Sequence, residues 1–264
     1  MKRTLALILR VVFAFSSTTA ARAKKKKKGP CRPTLAKCPL AGCGGGDPKL
    51  NRRKNIRTDD QEPTLQTLQF MKDLEDPDKE QFKQTHDRAL LTPLGEGQMI
   101  TVVAYLLAAR KGSAESCNCR LTNPSQTDNH LVLVEKETLA LTAPATPAKK
   151  ATATKKAVPA KTAEQNTLEV REQQSITAEF TPRVKRDHLN FKRENLTGRI
   201  DGAPKHALLV RVTGLLIFDS EHFLGKKLKR VNNWEIHPVM KMEFCATGND
   251  CTANDGWKSL DDLP

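Results

Sequence analysis

Five stretches between residues 99 and 244 carry the apolar spacing of β-strands. The first, 99–109, crowds β-branched and aromatic residues behind Gly95 and Gly97, and a helix is the competing reading of that run. Residues 130–135 and 175–180 alternate apolar with polar so that one face of each is buried. Residues 206–218 and 234–244 supply two more strands, and 183–193, between the third and fourth, has room for a short helix. Upstream, Leu65, Leu68, Met71 and Leu74, then Phe82, Ala89 and Leu90, recur at helical spacing, and Asp76-Pro77 divides them into two short helices. This order predicts a mainly β fold: a small OB-like Greek-key barrel of about five strands, with short N-terminal helices and disordered basic segments. An open β-sandwich is the alternative.

The polar segments complete the layout. Residues 1–23 read as a secretory signal peptide: Lys2 and Arg3 lead, an apolar stretch follows, and Ala21-Arg22-Ala23 offers a cleavage site after Ala23. No later segment approaches the roughly 20 apolar residues of a membrane helix. The expected location is therefore secreted or periplasmic. Residues 24–61 form a basic, cysteine-containing arm expected to be largely disordered, 62–94 hold the short helices packing on the core, 95–245 the barrel, and 246–264 a C-terminal tail. Inside the barrel, 142–161 is a low-complexity insert of Ala, Thr, Pro and Lys, expected to be a disordered loop.

Charge follows the same division. Of the net +14, residues 1–23 carry +4, 24–57 carry +11 and 136–161 carry +5, which leaves −6 for the remainder. A polyanionic partner, whether nucleic acid, anionic lipid or envelope polymer, is thus expected to be held by arm and insert. An aromatic content of 5% argues against sites that stack nucleic-acid bases. Seven cysteines in an exported chain are expected to pair with one left over, fastening the arm and the tail onto the middle; zinc binding at Cys117 and Cys119 or at Cys38 and Cys43 is the alternative.

Four clusters gather the candidate chemistry: Asp128-Asn129-His130, Glu179 through Arg183, Asp219 through His222, and Trp234-Glu235-Ile236-His237-Pro238. Residues two apart on a strand share a face, which pairs Glu235 with His237 and Asp128 with His130. Imidazoles and carboxylates on one surface suit a divalent metal or general acid/base work. Two classes of function follow. The leading one is a non-catalytic OB-like binding module for a polyanion. The alternative is a metal-dependent hydrolase, phosphodiesterase or nuclease-like, in which His130, Asp219, His222 and His237 bind one shared metal ion, Glu179 is ligand or base, and Arg183 steadies a phosphate. A structural envelope protein is a third possibility. Phosphate-cradling glycine loops, zincin helices and serine-nucleophile elbows are missing from the sequence.

The ordered pieces 115–119, 128–133, 179–183, 212–222 and 234–239 resemble a group of bacterial exported proteins of unknown function that share an Asp-x-His, a Glu, an Asp-x-x-His and a Glu-x-His-Pro in this order. The resemblance covers roughly residues 97–245, implies no activity, and singles out the same acidic and histidine positions.

Overall fold

A computed structural model of the chain describes residues 29–58, 60–152, 156–197, 208–225, 228–246, 250–252 and 254–263. The segment expected to be a signal peptide, the expected cleavage site and the Lys24 to Lys28 run lie outside the described residues, as does His206. In chain order the regular elements are α1 (Pro48–Asn55), β1 (Thr64–Gln66), α2 (Leu68–Lys72), α3 (Lys79–Thr85), β2 (Met99–Lys111), β3 (Asn129–Val134), α4 (Ala163–Glu172), β4 (Ile176–Phe180), α5 (Pro182–Lys185), α6 (Arg193–Thr197), β5 (Leu208–Phe218), α7 (Ser220–Gly225), β6 (Trp234–Cys245) and β7 (Trp257–Ser259). No helix among the described residues is long and apolar enough to cross a membrane.

The molecule is mainly β, and five of its strands close into a barrel. The long β2 pairs antiparallel with β3 through residues 105–111 and with β5 through 99–106. β3 runs antiparallel to β4, β4 parallel to β6, and β6 antiparallel to β5, so the ring β2-β3-β4-β6-β5 returns to β2. That order, with short helices between the third and fourth barrel strands, is the OB arrangement, and its closure removes the open sandwich. The ring closes tightly at Gly214: a Cβ there would sit 2.4 Å from the Pro238 carbonyl oxygen, a contact that glycine alone avoids.

Alternation decides which side chains fill the barrel. Leu131 and Leu133, Ile176, Ala178 and Phe180, and Ile236 point inward to a core completed by Met71, Phe82, Leu91 and Trp234. Val132 and Val134 face outward and are covered by Leu168 of α4. His130 and Glu179, directly opposite on β3 and β4, take the outward positions of the same strands, as do Thr177 and its β6 partner Glu235. The outer surface is therefore polar where His130, Glu179, Thr177 and Glu235 lie together across β3, β4 and β6, and it needs a cover.

The N-terminal arm provides it, which corrects the expectation of a largely disordered segment over 24–61. From Gly29 onward the described part is folded: Asp47 caps α1, Pro48 occupies its first turn, and Leu50 packs with Met99, Leu215 and Ile217. The rest of the buried face of α1 is polar. Asn51 donates to the Ala41 carbonyl at 3.0 Å, and Asn55 to the carbonyls of Leu40 at 2.9 Å and Cys117 at 3.0 Å. Several cations of the arm are also spent within the fold: Arg53 meets Glu96, Lys54 meets Glu115 and Glu235, and Arg57 meets Asp187.

Three disulfides form, Cys31–Cys43, Cys38–Cys119 and Cys245–Cys251, leaving Cys117 as a buried thiol. Cys38–Cys119 fastens the arm to the loop between β2 and β3, as expected. The tail is different: Cys245–Cys251 closes a local loop, and the tail is held to the barrel instead by β7 pairing with β6 and by buried Leu260. The described residues of the insert, 142–152 and 156–161, are mostly exposed and bridged at Thr146/Lys161 and Lys149/Val158, and they lead directly into α4, whose N-terminus is closed by a Thr162/Gln165 capping box.

Candidate functional site

A cleft of about 270 Å³ opens on the polar outer surface of β3 and β4. Its walls come from the loop between β2 and β3, which brings Glu115, from the segment between β5 and β6, which brings Asp219, His222, Lys229 and Arg230, and from Lys54 of α1. Two strands and the two loops flanking them form the surface on which OB barrels hold oligomeric ligands. Gly112 lets the first loop pass close over His130; a Cβ there would stand 3.0 Å from His130 Nε2.

Glu179 lies at the centre, 2% exposed. One of its oxygens is 3.4 Å from His130 Nε2 and the other 3.4 Å from His237 Nδ1. His237 Nδ1 also lies 3.2 Å from Glu235 Oε1. Lys54 Nζ stands 3.4 Å from Glu115 and 3.6 Å from Glu235. Arg230 reaches Glu235 at 2.8 Å and Asp219 at 3.3 Å, and His222 Nδ1 bonds the same Asp219 oxygen. Asp128 accepts from the Asn118 side chain at 2.7 Å, with the Cys117 thiol 3.8 Å from the same oxygen.

Burying so many charges together displaces their protonation. The Glu179 carboxyl is pushed up to about 7, chiefly by burial, against the pull of His130 and His237. His130 is raised to about 10, first by Glu179 and then by Glu115, although burial opposes it. Burial works against the charged form of His237 too, but Glu179 and Glu235 outweigh it and raise the imidazole. Lys54 is held well above its ordinary range because Glu115, Glu235 and Asp219 overcome the cost of burial. Burial and then the neighbouring Asp128 and Glu115 push the Cys117 thiol up, so it stays protonated.

Burial alone would raise Asp219, but Lys54, the hydrogen bond with His222 and Arg230 bring its carboxyl down to about 2. A carboxyl whose folded value is depressed contributes stability that is present above about pH 4 and is lost as pH falls through about 2. Asp219→Asn is therefore expected to lower stability at pH 7 by about 2 kcal/mol on linkage grounds, with the difference from wild type vanishing by about pH 2. Urea unfolding midpoints measured at both ends of that range check it.

Within this network, donor atoms remain unmatched. His130 Nε2 and Glu179 Oε2 are buried with only ion-pair contacts of 3.4 Å or longer, and His237 Nε2 and Asp128 Oδ1 are buried without a hydrogen-bond partner. Buried polar atoms are rarely left so, and these are the atom types that ligate divalent cations. Ligand atoms of Glu115, His130 and Glu179 lie within 4.8 Å of one another, and so do those of Asp128, Glu179 and His237.

The placement of the residues singled out in the sequence is mixed. His130, Glu179 and His237 converge, but the imidazoles fall in separate triads on either side of Glu179 and not around one shared ion. Asp219 and His222 line the cleft yet bind each other, with Arg230 also donating to Asp219, and they belong to neither triad. Arg183 is not in the cleft. The turn into α5 carries it outward to donate to the carbonyls of Cys38 at 2.7 Å and Pro39 at 3.3 Å, which clamps the arm; Arg110, Lys229 and Arg230 are the cations that line the cleft beside Lys54. Five contributors, Lys54, Arg110, Glu115, Lys229 and Arg230, are absent from the candidate site residues of the sequence. Of these only Glu115 carries a signal there, as the acidic residue beside Cys117 and Cys119. Comparison of the chain with protein families, with curated proteins and with solved structures finds no match.

Proposed function

We propose that this is an exported, divalent-metal-dependent hydrolase of phosphodiester-containing substrates. The observation that carries the reading is the set of unmatched buried donors around Glu179, at the floor of a cleft whose rim is cationic. Glu115, His130 and Glu179 are the ligands that face the cleft. A cation held by them would supply Lewis-acid polarisation of a phosphoryl oxygen. Lys229, together with Arg110, which is ion-paired to Glu172 on the same wall, attracts the anion. His222, oriented by Asp219 and part exposed to the cleft, is the residue placed to hand a proton to the leaving oxygen. Among the described residues no Phe, Tyr or Trp lines the cleft, which favours a contact with the charged backbone of the substrate over base or sugar stacking. Three disulfides suit an exported protein.

The non-catalytic binding module keeps one supporting observation. A groove of about 480 Å³ is lined by Lys111, Lys185, Arg186, Lys192 and Arg193, with Glu194 its acidic member, and its charge complements a polyanion. It gives such a partner a seat on the barrel in addition to the exposed lysines of the insert.

One experiment separates the two. The purified protein is expected to contain divalent metal by elemental mass spectrometry, and to hydrolyse bis(p-nitrophenyl) phosphate. Activity should vanish on chelation and return with Mn²⁺. His130→Ala, verified as folded, should lower kcat by roughly 100-fold or more, the scale of a lost electrostatic contact in the transition state. A protein that takes up neither Mn²⁺ nor Zn²⁺ and stays inert overturns the hydrolase and leaves the basic groove as the seat of function.

A further inference from the structure

We infer that the site holds a pair of divalent cations bridged by the Glu179 carboxylate, with Glu115 and His130 completing the position nearer the cleft and Asp128 and His237 the inner one. The inference rests on the metal-dependent reading above and specifies it. Its first support is the geometry of the two triads, which share Glu179 and no other residue and which divide the two imidazoles between them.

The inner position has its own independent evidence. Asp128 and His237 are both 0% exposed, and Asp128 Oδ1 and His237 Nε2 have no partner. The opposite atom of each is engaged. Asp128 Oδ2 accepts from Asn118 at 2.7 Å, and His237 Nδ1 lies 3.2 Å from Glu235 Oε1. A ligand whose far atom is fixed by a neighbouring amide or carboxylate, leaving the near atom bare, is the arrangement that orients side chains toward a metal. Glu235 is in turn fixed by Arg230 and Lys54, so it acts as an orienting group.

Charge points the same way. With the imidazoles neutral, as ligands must be, the carboxylates of Glu115, Asp128, Glu172, Glu179, Asp219 and Glu235 face Lys54, Arg110, Lys229 and Arg230, which leaves two negative charges uncompensated. One divalent ion only neutralises the pocket. A second leaves it two positive charges, which attract a phosphodiester. Paired ions about 3.5–4 Å apart clamp both the attacking and the leaving oxygen of an in-line displacement. In the overall step water adds across a P–O bond: its OH goes to phosphorus and its remaining proton to the departing alcohol. The third grouping, Glu115, Cys117 and Asp128, draws on the same two carboxylates, so it adds no further position.

The full chain, stripped by chelation and dialysed against Mn²⁺, is expected to bind two ions, counted by elemental mass spectrometry, and to give the broadened spectrum of an exchange-coupled pair in electron paramagnetic resonance. Asp128→Asn should bind one ion and give the six-line signal of an isolated Mn²⁺; His237→Gln carries the same expectation if Asp128→Asn does not fold. One ion in the wild type, or two uncoupled ones, overturns the pair and leaves the hydrolase reading standing. No ion overturns both. Two ions retained in a folded Asp128→Asn variant remove the inner position from Asp128 and sink the assignment.

Discussion

Lys54→Met is expected to destabilise the protein by about 3 kcal/mol at pH 7, the lower end of what removal of one partner from a buried ion pair costs. For a chain of this size that corresponds to roughly 6–12 °C in Tm. The side chain is nearly isosteric, so packing is preserved and the change isolates the charge. Lys54 is 6% exposed and stands between Glu115 and Glu235, with Asp219 and Glu179 adding to its raised pKa. Without it, Glu235 keeps Arg230, but Glu115 keeps only weaker partners, His130 at 3.7 Å and the neutral Cys117 thiol at 3.6 Å. Burial would by itself raise both carboxyls; Lys54 is the largest influence holding both below the usual carboxylate range. Groups depressed in the folded state contribute stability above their unfolded values near pH 4 and lose it as the pH falls. The deficit of the variant should therefore be largest at neutral pH and shrink below about pH 4, where the carboxyls take up protons. Thermal or urea unfolding at pH 7 and pH 3 measures both. A Tm unchanged at pH 7 would mean that the buried lysine is dispensable to the network and that Glu115 and Glu235 are neutralised without it.

How much of this is legible in the sequence depends on which physical signal each part carries. The strands of the barrel are legible because their inward faces are apolar at a period of two: Leu131 and Leu133, or Ile176, Ala178 and Phe180, need no other information. The same alternation exposes the outward residues, and His130, Glu179, Glu235 and His237 stand out as polar groups on otherwise buried strands. The separation of two side chains on different strands is not encoded in either strand's pattern. Hence the pattern suggests one shared ion where the imidazoles lie on opposite sides of Glu179. α1 is invisible because hydrophobic periodicity detects apolar stripes, and the stripe that α1 buries is Leu50, Asn51, Lys54 and Asn55. Its lysines and arginines count toward a solvated arm, although Lys54 is among the most buried charges in the molecule. Arg183 misleads for a related reason. It follows strand β4 by three residues, but Pro182 begins a helical turn there, and the period of two that would have kept Arg183 beside Glu179 ends at Phe180.

Glu179→Gln should have the reverse profile, abolishing function at little cost to the fold. Both proposed cation positions include Glu179, so the variant is expected to take up no divalent metal and to lower kcat by at least about 1000-fold, the scale at which a principal electrostatic contribution is removed. Stability should change far less than in Lys54→Met. The Glu179 carboxyl is raised to about 7, mainly by burial, so the ionised form is disfavoured in the fold. For a carboxyl raised in this way, stability is fully present below its unfolded value and is lost as pH climbs toward about 7. A neutral amide of the same shape removes that loss, which offsets the weakened support of His130 and His237. The metal-free variant carries a second, independent readout. Since Glu179 is the first cause of the elevated His130 value, the imidazole should titrate well below about 10 when followed by NMR. A variant that keeps its metal and its turnover would place the chemistry elsewhere in the cleft. A variant that loses both while unfolding at the wild-type midpoint would show a carboxylate retained for chemistry in a position where stability alone favours its removal.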